Sequence, residues 1–275
     1  MTDILIPALC VGAIGLFFGA LLAFASIVFK VDKDERIDKI NEFLPGANCG
    51  GCGYAGCSAL AEAIVTNGES ATKCNLMTEE KNRCICEIMG ITAGKVEKRV
   101  ARLKCSGTSE NCKSRYDFTG IDDCFTAMQL NGGPKSCEFG CMGLGSCVQA
   151  CEFDALSIKD GIAHIDETKC TGCARCARAC PKNIIELVPT EKKVFVSCSS
   201  TDKGAQVKNY CAVGCIGCKI CEKKCEHEAI KVENNLAKID YSKCTGCGMC
   251  HDVCPVKCIA AVGEFNEEFR KEDQK

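Results

Sequence analysis

The amino-acid sequence predicts an α+β chain built from three kinds of unit, on the strength of three observations. Residues 4–29 form an apolar run with no charged side chain, 29 of the 275 residues are cysteine, and residues 151–173 align with residues 225–247 without a gap. The apolar run is typical of a membrane helix, the cysteine density of metal sites, and the repeat of two tandem modules. The net charge of −2, the absence of Trp and the 6% aromatic content argue against a nucleic-acid-binding surface.

The N-terminus is predicted to be a single transmembrane helix. About twenty apolar residues span the hydrocarbon core of a bilayer, so the run at 4–29 is long enough to cross it with some tilt. Lys30, Lys33 and Arg36 follow the run and nothing basic precedes it, which predicts that the cysteine-rich part lies in the cytoplasm, where thiols stay reduced. A cleaved signal peptide is the main alternative, because residues 23–25 (AFA) resemble a cleavage site.

Residues 48–57 read NCGGCGYAGC, which matches two different motifs. Gly51, Gly53 and Gly56 satisfy the G-x-G-x-x-G of a dinucleotide-binding turn, but that motif needs a strand before it and a Pro-Gly turn stands there instead. The thiols have the spacing of ligands for an iron–sulfur cluster, and glycines let the backbone wrap closely around one. The predicted ligands of this first [4Fe–4S] site are Cys49, Cys52, Cys57 and Cys74.

Four cysteine runs follow as two tandem pairs, offset by 74 residues. Two runs match C-x2-C-x2-C-x3-C-P in full, one has the spacing without proline, and the first is looser. The runs are Cys137-Cys141-Cys147-Cys151, Cys170-Cys173-Cys176-Cys180, Cys215-Cys218-Cys221-Cys225 and Cys244-Cys247-Cys250-Cys254. Apolar residues alternate around a turn at 156–165 and at 230–239, which predicts a β-hairpin in each copy. Because zinc needs only paired C-x2-C motifs, the runs favour [4Fe–4S] clusters over zinc.

This pattern resembles the two-cluster bacterial ferredoxin fold, used twice. In that fold three cysteines of one run bind one cluster, and the fourth crosses to the other cluster. The resemblance implies the ligand sets Cys137/Cys141/Cys147/Cys180, Cys151/Cys170/Cys173/Cys176, Cys215/Cys218/Cys221/Cys254 and Cys225/Cys244/Cys247/Cys250. With the N-terminal site, five clusters are expected.

Apart from Cys10 in the apolar run, eight other cysteines match no such pattern: Cys84, Cys86, Cys105, Cys112, Cys124, Cys198, Cys211 and Cys258. We expect them to be buried or spare thiols. The alternative is a sixth cluster held by Cys105, Cys112 and Cys124 with one further cysteine.

The predicted organisation is therefore a single N-terminal transmembrane helix, a small helical [4Fe–4S] domain and tandem two-[4Fe–4S] ferredoxin-like modules. Its segments are a membrane anchor (1–30), an N-terminal cluster domain (31–80), a middle segment that no motif explains (81–135), a first module (136–190), a second module (191–262) and a charged tail (263–275).

This order resembles the B-type iron–sulfur component (RnfB) of the Rnf complex, the ion-translocating ferredoxin:NAD⁺ oxidoreductase, in its longer form with two ferredoxin modules. The most specific matches are residues 49–57 just after the apolar run, 140–145 and 215–223. The resemblance implies a component of the cytoplasmic membrane, in contact with lipid through its N-terminal helix. It further implies that this component takes electrons from soluble reduced ferredoxin. The electrons then pass to the other membrane subunits and to the flavin- and NAD-binding subunit, while Na⁺ or H⁺ is translocated.

The residues agree with an electron-transfer role. Four thiolates leave a cluster no open coordination site, and the sequence has no nucleotide fold, flavin-attachment motif or acid–base constellation, so hydride chemistry is expected on another subunit. The alternative function is a membrane-tethered polyferredoxin serving another enzyme, such as a hydrogenase. A candidate docking surface for an acidic ferredoxin is the basic run of Lys95, Lys98, Arg99, Arg102 and Lys104, with one solvated helix face as the alternative.

Overall fold

The computed structural model describes residues 2–28 and 34–262, and within the first helix it describes the side chains of residues 12–25. The first helix, α1 (Thr2–Val28), is continuous. Its residues 12–24 are all exposed, including Leu16 and Phe24. Among the residues whose side chains the structure describes, which in α1 are 12–25, no helix combines the length and the apolar character that crossing a membrane requires. The expected anchor at 1–30 therefore stays a prediction. The expected charged tail (263–275) lies outside the described residues.

The cysteine-rich N-terminal domain is small and helical, as predicted. Its elements are α2 (Glu35–Phe43), α3 (Cys57–Asn67), a 3₁₀ turn (Ala71–Lys73) and α4 (Glu79–Met89). Asp34 and Thr78 cap α2 and α4 with side-chain hydrogen bonds. The buried faces of α2, α3 and α4 meet around Ile40, Leu60 and Ile85. A helix, not a strand, leads into the cysteine loop, so the dinucleotide-binding architecture is not formed here.

The first module contains both predicted and unpredicted elements. They are β1 (Arg99–Leu103), α5 (Cys124–Gln129), α6 (Ser146–Gln149), β2 (Leu156–Lys159), β3 (Ile162–Ile165), α7 (Arg175–Arg178) and β4 (Ile185–Pro189). The predicted hairpin is confirmed: β2 and β3 pair antiparallel around Asp160 and Gly161, whose φ values of 50° and 73° suit a type I′ turn. The pairing of β1 with β4 joins part of the middle segment to this module.

The second module repeats that arrangement. Its elements are β5 (Val194–Val196), α8 (Gly204–Tyr210), α9 (Ile220–Lys224), β6 (Ile230–Glu233), β7 (Leu236–Ile239), α10 (Met249–Asp252) and β8 (Ile259–Ala261). β6 and β7 form the second predicted hairpin around Asn234 and Asn235, at φ values of 50° and 63°. β5 pairs with β8 as β1 pairs with β4. Each module thus has one hairpin and one two-stranded sheet.

Backbone contacts join the two modules directly. The Ser106 amide donates to the Ser197 carbonyl at 3.1 Å, and the Ser199 hydroxyl donates to the Lys104 carbonyl at 2.9 Å. A second contact forms where Cys112 and Cys211 make an isolated β-bridge. We call the region bounded by these two contacts the module junction.

The basic run at 95–104 is neither a helix face nor an open basic patch, since β1 occupies its centre. Arg102 is only 3% exposed, forms an ion pair with Glu167 and lies 4.8 Å from the ring of Phe195. Lys95, Arg99 and Lys104 also form ion pairs with glutamates. The helix-face alternative was wrong because the run pairs with β4, and most of its charge is neutralised within the chain.

Candidate iron–sulfur centres

The structure brings together the four predicted thiols of the N-terminal site. Cys49, Cys52, Cys57 and Cys74 line one cavity of about 360 Å³. Cys57 opens α3, and its amide donates to the Asn48 side-chain oxygen at 2.8 Å, which fixes the loop around the cavity. Cys74 closes the 3₁₀ turn on the far side.

This cavity abuts the first module. Cys173 also lines it, and a Cβ added to Gly51 would lie 2.4 Å from the Cys173 carbonyl oxygen, so only glycine allows this approach. Arg178 donates to the carbonyls of Gly50 and Cys49 at 2.7 and 2.9 Å. The loop predicted to hold the N-terminal cluster is therefore held against a loop that carries predicted ligands of another site.

The crossed set of the first module also comes together. Burial raises the pKa of the Cys176 thiol to about 12, with the neighbouring thiols of Cys170, Cys173 and Cys151 adding to the effect. The Ala101 amide of β1 donates to the Cys170 sulfur at 3.4 Å. Burial and mutual repulsion both disfavour free thiolates here, and bound iron reverses that balance because coordination deprotonates a thiol.

The other set of the first module differs from the expectation. Cys141, Cys147 and Cys180 line one cavity, but Cys124, not Cys137, is the fourth cysteine there. Cys124 begins α5, and its amide donates to the Ser146 hydroxyl at 2.7 Å. Ser146 in turn donates to Asp123 at 2.9 Å, so this hydrogen-bonded pair fastens α5 to α6.

The sequence does indicate that the first cysteine run is one thiol short. At an offset of 74 residues, Cys141 corresponds to Cys215, and Leu144 stands where the second copy has Cys218. The first run therefore lacks one ligand, and a thiol from outside the run has to replace it. Nothing in the spacing identified Cys124 as that thiol.

Both predicted sets of the second module come together. Cys225, Cys244, Cys247 and Cys250 line a cavity of about 570 Å³. In the other set, burial raises the pKa of the Cys221 thiol to about 11, with Cys215, Cys218 and Cys254 adding to the effect.

Cys258, expected to be a spare thiol, lies beside the second of these sets. It is 2% exposed, and its sulfur lies 3.7 Å from that of Cys254. A hydrogen bond with Cys258 lowers the pKa of Cys254 to about 5. A second hydrogen bond with Cys258 lowers the pKa of Cys215 to about 6. In the first copy Ile184 stands at this position.

A further cysteine group lies at the module junction. One cavity of about 360 Å³ is lined by Cys105, Cys112, Cys137, Cys198 and Cys211. The group has near-twofold character. Cys137 and Cys211 are 74 residues apart, each four residues before the first proposed ligand of its module. The sulfurs of Cys105 and Cys198 accept hydrogen bonds from the amides of these proposed ligands, Cys141 and Cys215, each at 3.3 Å. We call this group the junction ring.

The donor sets fit iron–sulfur clusters better than single ions. Within the described part of the chain, no three His, Cys, Asp or Glu side chains are close enough to hold one metal ion. Zinc at about 2.3 Å from each sulfur would need such convergence. The thiols instead surround cavities, and backbone amides point at several sulfurs, as they do around cubic clusters.

Comparison with known proteins agrees with this chemistry. The FeS family model, for an Fe-S cluster, matches residues 44–75. The 4Fe-4S binding domain model matches residues 163–186 and 237–260, one segment in each module. Both modules are thus [4Fe–4S]-binding domains.

Three relatives align with nearly the whole chain, and each is the B component of its complex. That of the Na⁺-translocating ferredoxin:NAD⁺ oxidoreductase complex of Acetobacterium woodii is 44% identical over 97% of this chain and 80% of its own length. That of the ion-translocating oxidoreductase complex of Methanosarcina acetivorans is 44% identical over 94% of this chain and 99% of its own. That of the proton-translocating ferredoxin:NAD⁺ oxidoreductase complex of Clostridium ljungdahlii is 39% identical over 95% and 94%. The chain therefore belongs to the family of iron–sulfur B subunits of ion-translocating oxidoreductase complexes.

Proposed function

We propose that the chain carries single electrons from reduced soluble ferredoxin toward the membrane subunits and the flavin- and NAD-binding subunit of an ion-translocating ferredoxin:NAD⁺ oxidoreductase. The observation that carries this proposal is that successive groups of predicted ligand cysteines, here called cysteine rings, contact one another. Gly51 contacts Cys173 between the N-terminal site and the first module, and the junction ring accepts amides from both modules. The rings thus form one series along the chain.

We propose six [4Fe–4S] sites, one more than the runs alone predict. Five have the ligand sets Cys49/Cys52/Cys57/Cys74, Cys124/Cys141/Cys147/Cys180, Cys151/Cys170/Cys173/Cys176, Cys215/Cys218/Cys221/Cys254 and Cys225/Cys244/Cys247/Cys250. The sixth is the junction ring, of which four thiols serve as ligands. When bound, each cluster takes up and gives back one electron.

The protein's own residues determine the positions of the cluster sites and the polarity of their surroundings. Amides of Ala101, Cys141 and Cys215 donate to cysteine sulfurs, and hydrogen bonds of this kind raise the reduction potential of a cluster by favouring the more negative state. All the proposed ligands except Cys218 are buried or half-buried, which limits the access of water to the sites. Arg178 holds the N-terminal loop against the first module, so the spacing of those two sites is fixed.

We further propose that α1 anchors the chain in the cytoplasmic membrane by a single pass. The uncharged run at 4–29 supports this, as does the exposure of its apolar side chains, Leu16 at 77% and Phe24 at 69%. The lysines and arginine that follow predict that the cluster domains face the cytoplasm.

The test is to purify the full chain in detergent without oxygen, load it with iron and sulfide, and add reduced ferredoxin. Six sites predict about twenty-four irons and as many sulfides per chain, and ferredoxin should reduce them with cubic-cluster EPR signals. Zinc without sulfide would exclude the cofactor. Full loading without reduction by ferredoxin would leave the cofactor standing but contradict the proposed electron donor.

A further inference from the structure

One cysteine ligand of the second module reaches solvent. Among the cysteines that the structure describes, only Cys218 is exposed, whereas its partners Cys215, Cys221 and Cys254 are buried. Electron exchange with a separate protein needs a site whose edge a partner can approach. The Cys218 side of this ring is such an edge.

Three lysines follow Cys218 within six residues along the chain. Lys219, Lys223 and Lys224 are exposed, and none forms an ion pair within the described chain. The acidic residue among them, Glu222, turns one carboxylate oxygen inward, where it is buried. Within residues 218–224 the charge presented to solvent is therefore positive.

An apolar side chain lies within the same short stretch. Ile220, at the start of α9, is 39% exposed. An apolar residue inside a charged rim is the usual composition of a transient protein interface. We call Cys218, Lys219, Ile220, Lys223 and Lys224 the Cys218 edge.

The first module provides an internal comparison. At the 74-residue offset, the positions of the three lysines hold Gly145, Gln149 and Ala150, and Leu144 replaces Cys218. The same fold therefore forms without the charge or the exposed ligand, so neither is needed to build the module. The basic run at 95–104, in contrast, is largely paired within the chain.

We infer that the Cys218 edge is the docking surface for a small acidic redox protein of the ferredoxin kind. This inference rests on the proposed function, since it names where the proposed donor binds. Unpaired lysines accelerate encounter with an acidic partner by steering it, commonly by about 10 to 10³-fold at low ionic strength. The exposed ligand then places the partner's own cluster near the edge of this site.

The experiment reverses the three charges in the full, cluster-loaded chain, as Lys219→Glu/Lys223→Glu/Lys224→Glu. A matched control, Lys39→Glu/Lys159→Glu/Lys208→Glu, changes three exposed lysines elsewhere by the same total charge. The probe is an acidic bacterial two-[4Fe–4S] ferredoxin. Binding of the oxidised probe and stopped-flow reduction by the reduced probe are both measured from low to high ionic strength, and dithionite serves as the small-molecule reductant.

We expect the edge variant to bind the probe more weakly and to be reduced by it at least about tenfold more slowly at low ionic strength, with a flattened salt dependence. The control variant and the reaction with dithionite should stay unchanged. If iron content falls in the edge variant, the milder Lys223→Gln/Lys224→Gln pair takes its place.

Equal binding and equal rates in the edge and control variants would overturn the inference while leaving the proposed function intact. Loss of co-purifying subunits with unchanged ferredoxin kinetics would also overturn it, and would assign the edge to contact with another subunit. An unmodified chain that ferredoxin does not reduce would instead reject the proposed function itself.

Discussion

Replacing Cys124 by alanine is the sharpest test of the cluster sites, because the cysteine runs alone give this residue no role. In the structure Cys124 lines one cavity with Cys141, Cys147 and Cys180. Six loaded sites hold about twenty-four irons per chain. Cys124→Ala leaves three thiols in one ring, so at least one iron and at most about four are lost, and one [4Fe–4S] signal disappears.

The expected loss of iron is better defined in the double variant Cys124→Ala/Cys180→Ala. Two missing thiols from one ring leave too few ligands for a cube, so iron and sulfide should each fall to about twenty per chain. Iron and sulfide analysis with EPR measures both variants. Cys84→Ala is the control, since Cys84 lies on α4 and lines none of the cavities described above. A Cys124→Ala chain that keeps about twenty-four irons and an unchanged EPR spectrum would refute the assignment.

Three further outcomes are expected. Arg102→Met leaves the Glu167 carboxylate without its buried partner and should destabilise the loaded chain by about 3 kcal/mol, against about 0–1 for the exposed pair removed by Lys238→Met; thermal unfolding measures both, and equal shifts would contradict this. Cys258→Ala should keep all iron but lower the potential of one cluster in an EPR-monitored titration, because a hydrogen bond to Cys254 is lost; iron loss would show instead that Cys258 is a ligand. Gly51→Ala should speed hydrogen exchange at residues 44–75, because its methyl group would lie 2.4 Å from the Cys173 carbonyl, whereas Gly94→Ala has no such neighbour; equal exchange in both would speak against this contact.

Local patterns in the sequence predicted the parts of the fold that depend on neighbouring residues. The hairpin at Asn234 and Asn235 follows from two residues that tolerate positive φ between alternating apolar positions. The cysteine runs of the second module follow from regular spacing, and their crossed ligand sets are what the resemblance to the two-cluster ferredoxin fold implies. The hairpin and the runs are properties of short segments, so one sequence is enough to identify them.

The remaining features depend on distant contacts. Cys137 fits the looser run by spacing, yet its side chain lies in the junction ring with Cys112 and Cys211. The 74-residue offset of the repeat already argued against Cys137 as a member of the run, since it aligns Cys137 with Cys211 and not with a run cysteine. The strand at 99–103 was hidden because its charged residues suggested a solvated helix, whereas Arg102 is buried between modules.

The junction ring also sets an order of assembly. Its thiols come from two stretches, 105–137 and 198–211, each of which precedes the cysteine run of one module, so the ring cannot close until both modules have folded and met at Cys112 and Cys211. The module sites each draw on one module with its flanking segment and can be filled separately. We therefore expect iron to enter the proposed junction site last and to leave it first when the modules part. A chain short of iron would therefore keep the clusters of both modules and lose electron transfer between the modules.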